Sequence, residues 1–334
     1  MERVDFGTTG VRVSRLALGT MTFGREADVE ASRALFARAR DAGIDLFDCA
    51  DVYAKGKSEE ILGELVRGCR DQIVLTSKAY FPTGPGDNDR GSSRYHLVRA
   101  VEASLRRLGT DRIDVFFLHR FDDRTPLEET LRGVELLVRE GKILYPAASN
   151  FAAWQVARAL GVAEARGWAK LAAIQPMYSL VKRQAEVELL PMARAEGLAV
   201  MPYGPVAGGL LSGKYGVNRK PDGGRLVDDA MYRARYGGDF VYQVADRFAA
   251  LAREAGVHPV TLAVGWVMQH PAVTSTLIGA RNVEQLEPSL AAASFVVGSE
   301  LYAQVSSLVP APPPATDRNE ESSADDYASA LRRA

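Results

Sequence analysis

Ile44-Asp45-Leu46-Phe47-Asp48-Cys49-Ala50-Asp51-Val52-Tyr53 combines an apolar run with three acids and a phenol. It reads as a short buried strand ending in a carboxylate, Asp48, followed by a loop that brings a tyrosine, Tyr53, back nearby. Two later segments end in the same way. Ile73-Val74-Leu75-Thr76-Ser77 runs into Lys78, and Ile113-Asp114-Val115-Phe116-Phe117-Leu118 runs into His119. If the three strands are parallel neighbours, an acid, a phenol, an amine and an imidazole share one rim.

The same unit recurs on both sides of this stretch. Toward the N-terminus, residues 1–13 predict a hairpin around a Gly7-Thr8-Thr9-Gly10 turn, with Val11 and Val13 alternating on its far side. Leu16-Ala17-Leu18 then ends at a loop bounded by Gly19 and Gly24, and Asp28 is placed to cap a helix with a stripe at Ala31, Leu35, Phe36 and Ala39. Toward the C-terminus, helices are expected behind Ser58, Ser93 and Thr125-Pro126, then over 151–166 and 184–195. Strands are expected over 143–148, 171–175 and 198–201. An insertion from 204 to about 239, rich in Gly, Pro and Asp, breaks the rhythm. Helices over 242–255 and 259–269, a strand over 275–278 and a helix over 282–293 follow.

Strand and helix thus alternate about eight times, which is the count of a closed (β/α)8 barrel. The strands are near-continuously apolar, as strands of a helix-covered parallel sheet are. A doubly wound open sheet would carry a glycine fingerprint after its first strand, and none is present. The expectation is one barrel domain over 1–334. Its tail, 310–334, is proline-rich, then charged and serine-rich, with a short helix expected over 325–333.

Composition excludes several classes of function. The 334 residues carry a formal charge of −1, which gives no broad electrostatic attraction to nucleic acid or to a membrane surface. Cys49 and Cys69 are the two cysteines and have no metal-type spacing. With no secretory h-region at the N-terminus, a reducing cytoplasm is the expected location. No uninterrupted apolar run approaches membrane-spanning length. The four histidines are scattered and no H-E-x-x-H occurs, so no metal is expected.

Two motifs mislead. Gly208-Gly209-Leu210-Leu211-Ser212-Gly213-Lys214 matches the frame of a triphosphate loop, but Tyr215 stands where the magnesium-binding hydroxyl belongs. Tyr53-x-x-x-Lys57 and Tyr178-x-x-x-Lys182 mimic the Tyr/Lys pair of short-chain dehydrogenases, without the glycine fingerprint that fold requires.

In a barrel, residues just past the carboxyl ends of strands face the active-site mouth. Asp48, Tyr53, Lys78 and His119 hold that position on three successive strands. A free tyrosine, with a pKa of about 10, is a poor proton donor near neutrality. An adjacent ammonium lowers that value. A buried carboxylate keeps the lysine charged, and an imidazole within reach orients a carbonyl. The set is suited to acid/base work on a carbonyl–alcohol pair.

From 16 to 290 the chain resembles the aldo-keto reductases, in particular the branch that includes the potassium-channel β subunits. The residues that carry the resemblance are Asp48-Cys49-Ala50-Asp51-Val52-Tyr53, Lys78, Leu118-His119-Arg120, Gly141-Lys142-Ile143, Ala148-Ser149-Asn150 and Gln175. Tyr203-Gly204-Pro205-Val206-Ala207-Gly208-Gly209-Leu210-Leu211-Ser212-Gly213-Lys214 and Gly279-Ala280-Arg281-Asn282-Val283-Glu284-Gln285-Leu286 complete it. The resemblance implies a (β/α)8 barrel and reversible NADPH-dependent reduction of aldehydes and ketones. It implies Tyr53 as proton donor, Lys78 as the group that lowers its pKa, Asp48 as partner of Lys78, and His119 as the residue orienting the substrate oxygen. Gly19, Thr20 and Met21 would line the cofactor; Ser149, Asn150 and Gln175 would hold its carboxamide over Tyr203. Gly204, Pro205, Val206, Gly208, Gly209, Leu210, Gly213 and Lys214 would meet the pyrophosphate, and Gly279, Ala280, Arg281 and Gln285 the adenosine phosphate end.

Pro288-Ser289 replaces a frequent Glu-Asn of the family, which leaves NADH possible beside NADPH. Gly204 and Cys49 stand where a serine and a threonine are common. Phe23, Tyr80, Phe81, Arg120 and the insertion are the expected walls for a small-molecule carbonyl substrate. Two other readings stay open at the sequence level: a cofactor-sensing regulatory subunit with slow turnover, and a Schiff-base aldolase using Lys78.

Overall fold

Residues 1–316 are described by the structure, a computed structural model. The helix expected over 325–333 and the charged part of the tail lie outside the described residues.

Strands β1 (Arg3–Asp5) and β2 (Arg12–Ser14) pair antiparallel, with Val4 opposite Val13. Eight further strands follow: β3 (Leu16–Gly19), β4 (Leu46–Asp48), β5 (Val74–Ala79), β6 (Ile113–Leu118), β7 (Ile143–Ser149), β8 (Ala173–Gln175), β9 (Ala199–Val200) and β10 (Thr276–Ile278). They form one parallel sheet in the order β10-β3-β4-β5-β6-β7-β8-β9. Just past β9, the Pro202 carbonyl accepts from the Leu277 N–H of β10 at 3.0 Å. The outer strands therefore meet, and the sheet closes as the expected barrel.

Helices α1 (Val29–Asp41), α2 (Lys57–Val66), α3 (Arg94–Leu108), α4 (Leu127–Arg139), α5 (Ala153–Arg166) and α6 (Leu189–Ala195) alternate with the strands. Then come α7 (Arg225–Asp228), α8 (Ala230–Tyr236), α9 (Asp239–Glu254), α10 (Pro259–Gln269), α11 (Val283–Ala291) and α12 (Ser299–Ser306). Among the described residues no helix is long and apolar enough to cross a membrane.

Strand alternation splits the core in two. Ala17, Leu46, Val115, Phe117, Ala147, Ala173, Ala199 and Leu277 point into the barrel, where Phe6 and Val13 of the hairpin join them and plug its lower end. The opposite strand faces meet the helices in a larger apolar layer. The hairpin's fit depends on Gly7, at φ +56°. A Cβ there would lie 2.7 Å from the Gly197 carbonyl oxygen and 2.8 Å from the Ala199 nitrogen.

Local chemistry sets the helix ends. Asp28 accepts from the Ala31 N–H at 2.8 Å and Ser93 from the His96 N–H at 3.2 Å, both as the sequence predicts. Ser58 differs from expectation. The cap of α2 is Gly56, at φ +91°, and Ser58 lies inside the helix. Its hydroxyl donates instead to the Thr20 carbonyl at 2.7 Å. The helix expected over 184–195 is also interrupted, into a 3-10 turn (Gln184–Glu186) and α6. Pro191 accounts for this: it has no N–H to give a helix interior but is tolerated in the first turn of α6. The insertion is more ordered than its composition suggests, holding a 3-10 turn (Ala207–Ser212), α7 and α8. Helix α12 was not legible in the sequence; it is anchored through the Ser306 hydroxyl, which accepts from the Trp266 indole at 2.9 Å.

Candidate active site

The ends of β3, β4, β5, β6 and β8 bring the charged residues together. Register pairs Gly19 with Asp48, Asp48 with Thr76, and Lys78 with Phe117. Thr76 and Lys78, two apart on β5, both face inward. One Asp48 oxygen accepts from the Lys78 ammonium at 2.5 Å; the other accepts from the Thr76 hydroxyl at 2.7 Å and the Gln175 amide at 2.9 Å. Lys78 Nζ also donates to the Cys49 carbonyl at 2.7 Å. Asp48 and Lys78 are 2% and 0% exposed, so removing either would strand the other charge in the interior.

Tyr53 and His119 complete the rim. The Tyr53 ring centre is 5.2 Å from Lys78 Nζ and 6.0 Å from the His119 ring, which it meets nearly perpendicularly. The sequence led us to expect Lys78 to lower the Tyr53 pKa. Instead burial, and then the Asp48 charge, push the phenol well above its ordinary value. Burial and the nearby Lys78 charge hold His119 well below its ordinary value, as a neutral imidazole whose Nδ1 has no partner.

The second set meets the first through Gln175. Its backbone carbonyl accepts from the Ser149 hydroxyl at 2.9 Å while its side-chain amide is on Asp48. Asn150, in the left-handed region at φ +58°, donates to the His119 carbonyl and accepts from the Tyr203 hydroxyl at 2.7 Å. Thr20 donates to the Asp48 carbonyl at 3.0 Å, and Met21 beside it is half-buried.

A cavity of about 520 Å³ opens beside this rim, lined by Gly204, Pro205, Val206, Gly208, Gly209, Lys214, Gly279, Ala280, Arg281 and Gln285. Gly208 and Gly209 are left-handed, at φ +67° and +100°, which bares their backbone to the cavity. Leu210 and Gly213 are not on the wall: Leu210 is in the apolar core, and Gly213 packs on Pro259. Burial, then Arg281 and Arg225, push the Lys214 ammonium down. Lys214, Arg225 and Arg281 have no carboxylate partner among the described residues. Such a cluster of like charges fits an anionic ligand, and a phosphate-bearing dinucleotide suits its chemistry.

Of the expected substrate walls, Tyr80 and Phe81 form an edge-to-face series onto His119, with centroids 5.3 and 4.9 Å apart. Arg120 is exposed next to His119. Phe23 corrects the expectation: it is fully buried in the core and supports the 19–24 loop from beneath. Thr76, Thr22 and Arg225 escaped the sequence reading. Alternation from Lys78 would have found Thr76. Thr22 lies on the cavity wall within the loop already singled out. Nothing in the sequence pattern marks Arg225 within the insertion.

Comparison with known proteins adds to this geometry. The family model described as "Aldo/keto reductase family" matches residues 15–310. A Bacillus subtilis (strain 168) protein named "Uncharacterized oxidoreductase YrpG" is 37% identical over 326 residues, covering 93% of this chain and 97% of that protein. An Arabidopsis thaliana "Probable voltage-gated potassium channel subunit beta" is 34% identical over 303 residues, covering 89% and 92%. A Schizosaccharomyces pombe "Putative voltage-gated potassium channel subunit beta" is 32% identical over 302 residues, covering 87% of each.

Proposed function

The chain belongs to the aldo/keto reductase family of oxidoreductases, and on that premise we propose that it reduces an aldehyde or ketone to the alcohol, with Tyr53 as general acid. The observation that carries the proposal is the buried Asp48–Lys78 pair beside Tyr53 and a neutral His119. When bound, a reduced nicotinamide supplies the hydride. Tyr53 holds the proton that the carbonyl oxygen takes up, and its raised pKa keeps that proton in place until then. The phenolate left behind lies beside the Lys78 ammonium, which Asp48 holds in place and which stabilises the new negative charge. A neutral His119 has one N–H to offer the substrate oxygen.

Ser149, Asn150, Gln175 and Tyr203 are the candidates to hold the nicotinamide end. The Gly208–Gly209 backbone and Lys214 are the candidates for the pyrophosphate. Arg281, with Arg225 and Lys214 in reach, favours NADPH over NADH, because unpaired cations match an additional phosphate. A Schiff-base role for Lys78 draws no support, since its ammonium is fully buried and doubly bonded. Cys49 and Cys69 are both free, which suits a cytoplasmic enzyme. The test is a panel of small, sugar-derived and quinone-like carbonyls, with oxidation of NADPH and of NADH followed by absorbance. Turnover with NADPH, faster than with NADH, is expected; no turnover with any carbonyl would count against the proposal.

A further inference from the structure

We propose that Glu59 and Arg107, which lie outside the barrel lumen, form a clamp that positions Tyr53 against Lys78 for proton transfer. The inference rests on the carbonyl-reductase reading above and adds two positioning residues to it.

Tyr53 opens a tight turn, Tyr53–Gly56, in which Ala54, Lys55 and Gly56 are all left-handed, at φ +46°, +56° and +91°. Two of the three carry side chains that disfavour this conformation, and such a run persists only where the surroundings impose it. Here the floor of the turn is the Arg107 side chain. A Cβ built on Gly56 would lie 2.8 Å from Arg107 Cδ and 3.0 Å from Nε.

Arg107 reaches this place from α3 and is fixed there by one carboxylate. Its Nε donates to Glu59 Oε2 at 2.7 Å, and its Nη2 lies 2.6 Å from the same oxygen. Glu59, in the first turn of α2, is fully buried. Its other oxygen accepts from the Ser77 hydroxyl at 2.5 Å. Ser77 precedes Lys78 on β5, and strand alternation turns its side chain out of the barrel while Lys78 points in. Glu59 thus ties together the strand that carries Lys78, the helix that follows the Tyr53 turn, and the arginine beneath that turn. A second contact runs parallel to it, from the Asp51 N–H to the Lys78 carbonyl at 3.1 Å.

The experiment compares Glu59→Gln, Arg107→Lys and Gly56→Ala with the parent enzyme in kcat, KM for a carbonyl, affinity for NADPH by fluorescence, and melting temperature. Glu59→Gln retains the shape but presents one oxygen where two are used. Gly56→Ala pushes the Arg107 side chain aside while both ionic residues stay in the chain. In each variant kcat is expected to fall by about 10-fold or more, toward the roughly 100-fold cost of a 1 Å misplacement, with KM and NADPH affinity within about twofold of the parent. If Arg107→Lys is too unstable to assay, Arg107→Ala supplied with ethylguanidinium is expected to recover turnover. Lower melting temperatures with an unchanged kcat in Glu59→Gln and Gly56→Ala would overturn the clamp. That result together with an inactive Tyr53→Phe would leave the reductase reading standing, whereas full turnover by Tyr53→Phe would overturn both.

Discussion

Asp51→Asn is expected to stabilise the protein, and by more as the pH rises. Asp51 is 2% exposed and neither of its carboxylate oxygens has a side-chain hydrogen-bond partner. Burial, followed by the Glu59 charge, pushes its carboxyl from 3.8 up to about 8. The sign follows from proton binding. In the unfolded chain the carboxyl loses its proton near pH 4, whereas the folded protein keeps it to about pH 8. Over that interval the folded state binds more protons than the unfolded state, so stability falls as pH increases. Each pH unit is worth about 1.4 kcal/mol, which sets a ceiling of roughly 6 kcal/mol. Relaxation and water entry reduce such penalties in real interiors, and about 2 kcal/mol is the expected advantage of asparagine at pH 8. Urea unfolding of parent and variant at pH 5, 6.5 and 8 measures it, provided the m-values agree. The gap should be small at pH 5 and widen steadily. A gap independent of pH, or a less stable variant at pH 8, would refute the reasoning.

Three further outcomes are expected. Lys78→Met leaves Asp48 buried without its cation; it should cost about 3–5 kcal/mol in denaturant unfolding and abolish carbonyl turnover while NADPH still binds. Arg281→Ala should weaken NADPH binding by roughly 10- to 100-fold and NADH binding much less, the loss expected for one charge-assisted contact to phosphate; equal losses for both would argue that Arg281 does not read that phosphate. Gly7→Ala puts a methyl into the Gly197–Ala199 backbone at the barrel foot and should lower stability by about 1–3 kcal/mol with kcat unchanged, because the hairpin lies at the end of the barrel away from Tyr53.

The sequence made the barrel legible because its signals are local: apolar runs of strand length, Asp28 and Ser93 as caps, and glycines at helix ends. The rim residues Asp48, Lys78 and His119 were legible for the same reason, each being the first charged or titratable side chain at the end of a run. What escaped depends on contacts distant in the chain. Ser58 looks like a cap from its neighbours, yet its hydroxyl is used by Thr20, 38 residues away. The direction of the Tyr53 pKa shift depends on its burial and on the Asp48 charge, which only folding brings to it. Arg225 sits in a segment of low pattern, and only folding brings it to Lys214 and Arg281. Glu59 and Arg107, 48 residues apart, carry no motif that would connect them to Tyr53.

The most direct test of the central claim is isotope transfer. Parent enzyme is incubated with a carbonyl accepted in the panel and with NADPH deuterated at the reactive C4 position, and the alcohol is analysed by mass spectrometry. Hydride transfer predicts a single deuterium on the carbinol carbon, with formation lost in Tyr53→Phe even though that variant still binds NADPH. An alcohol without deuterium, or undiminished formation by Tyr53→Phe, would contradict it.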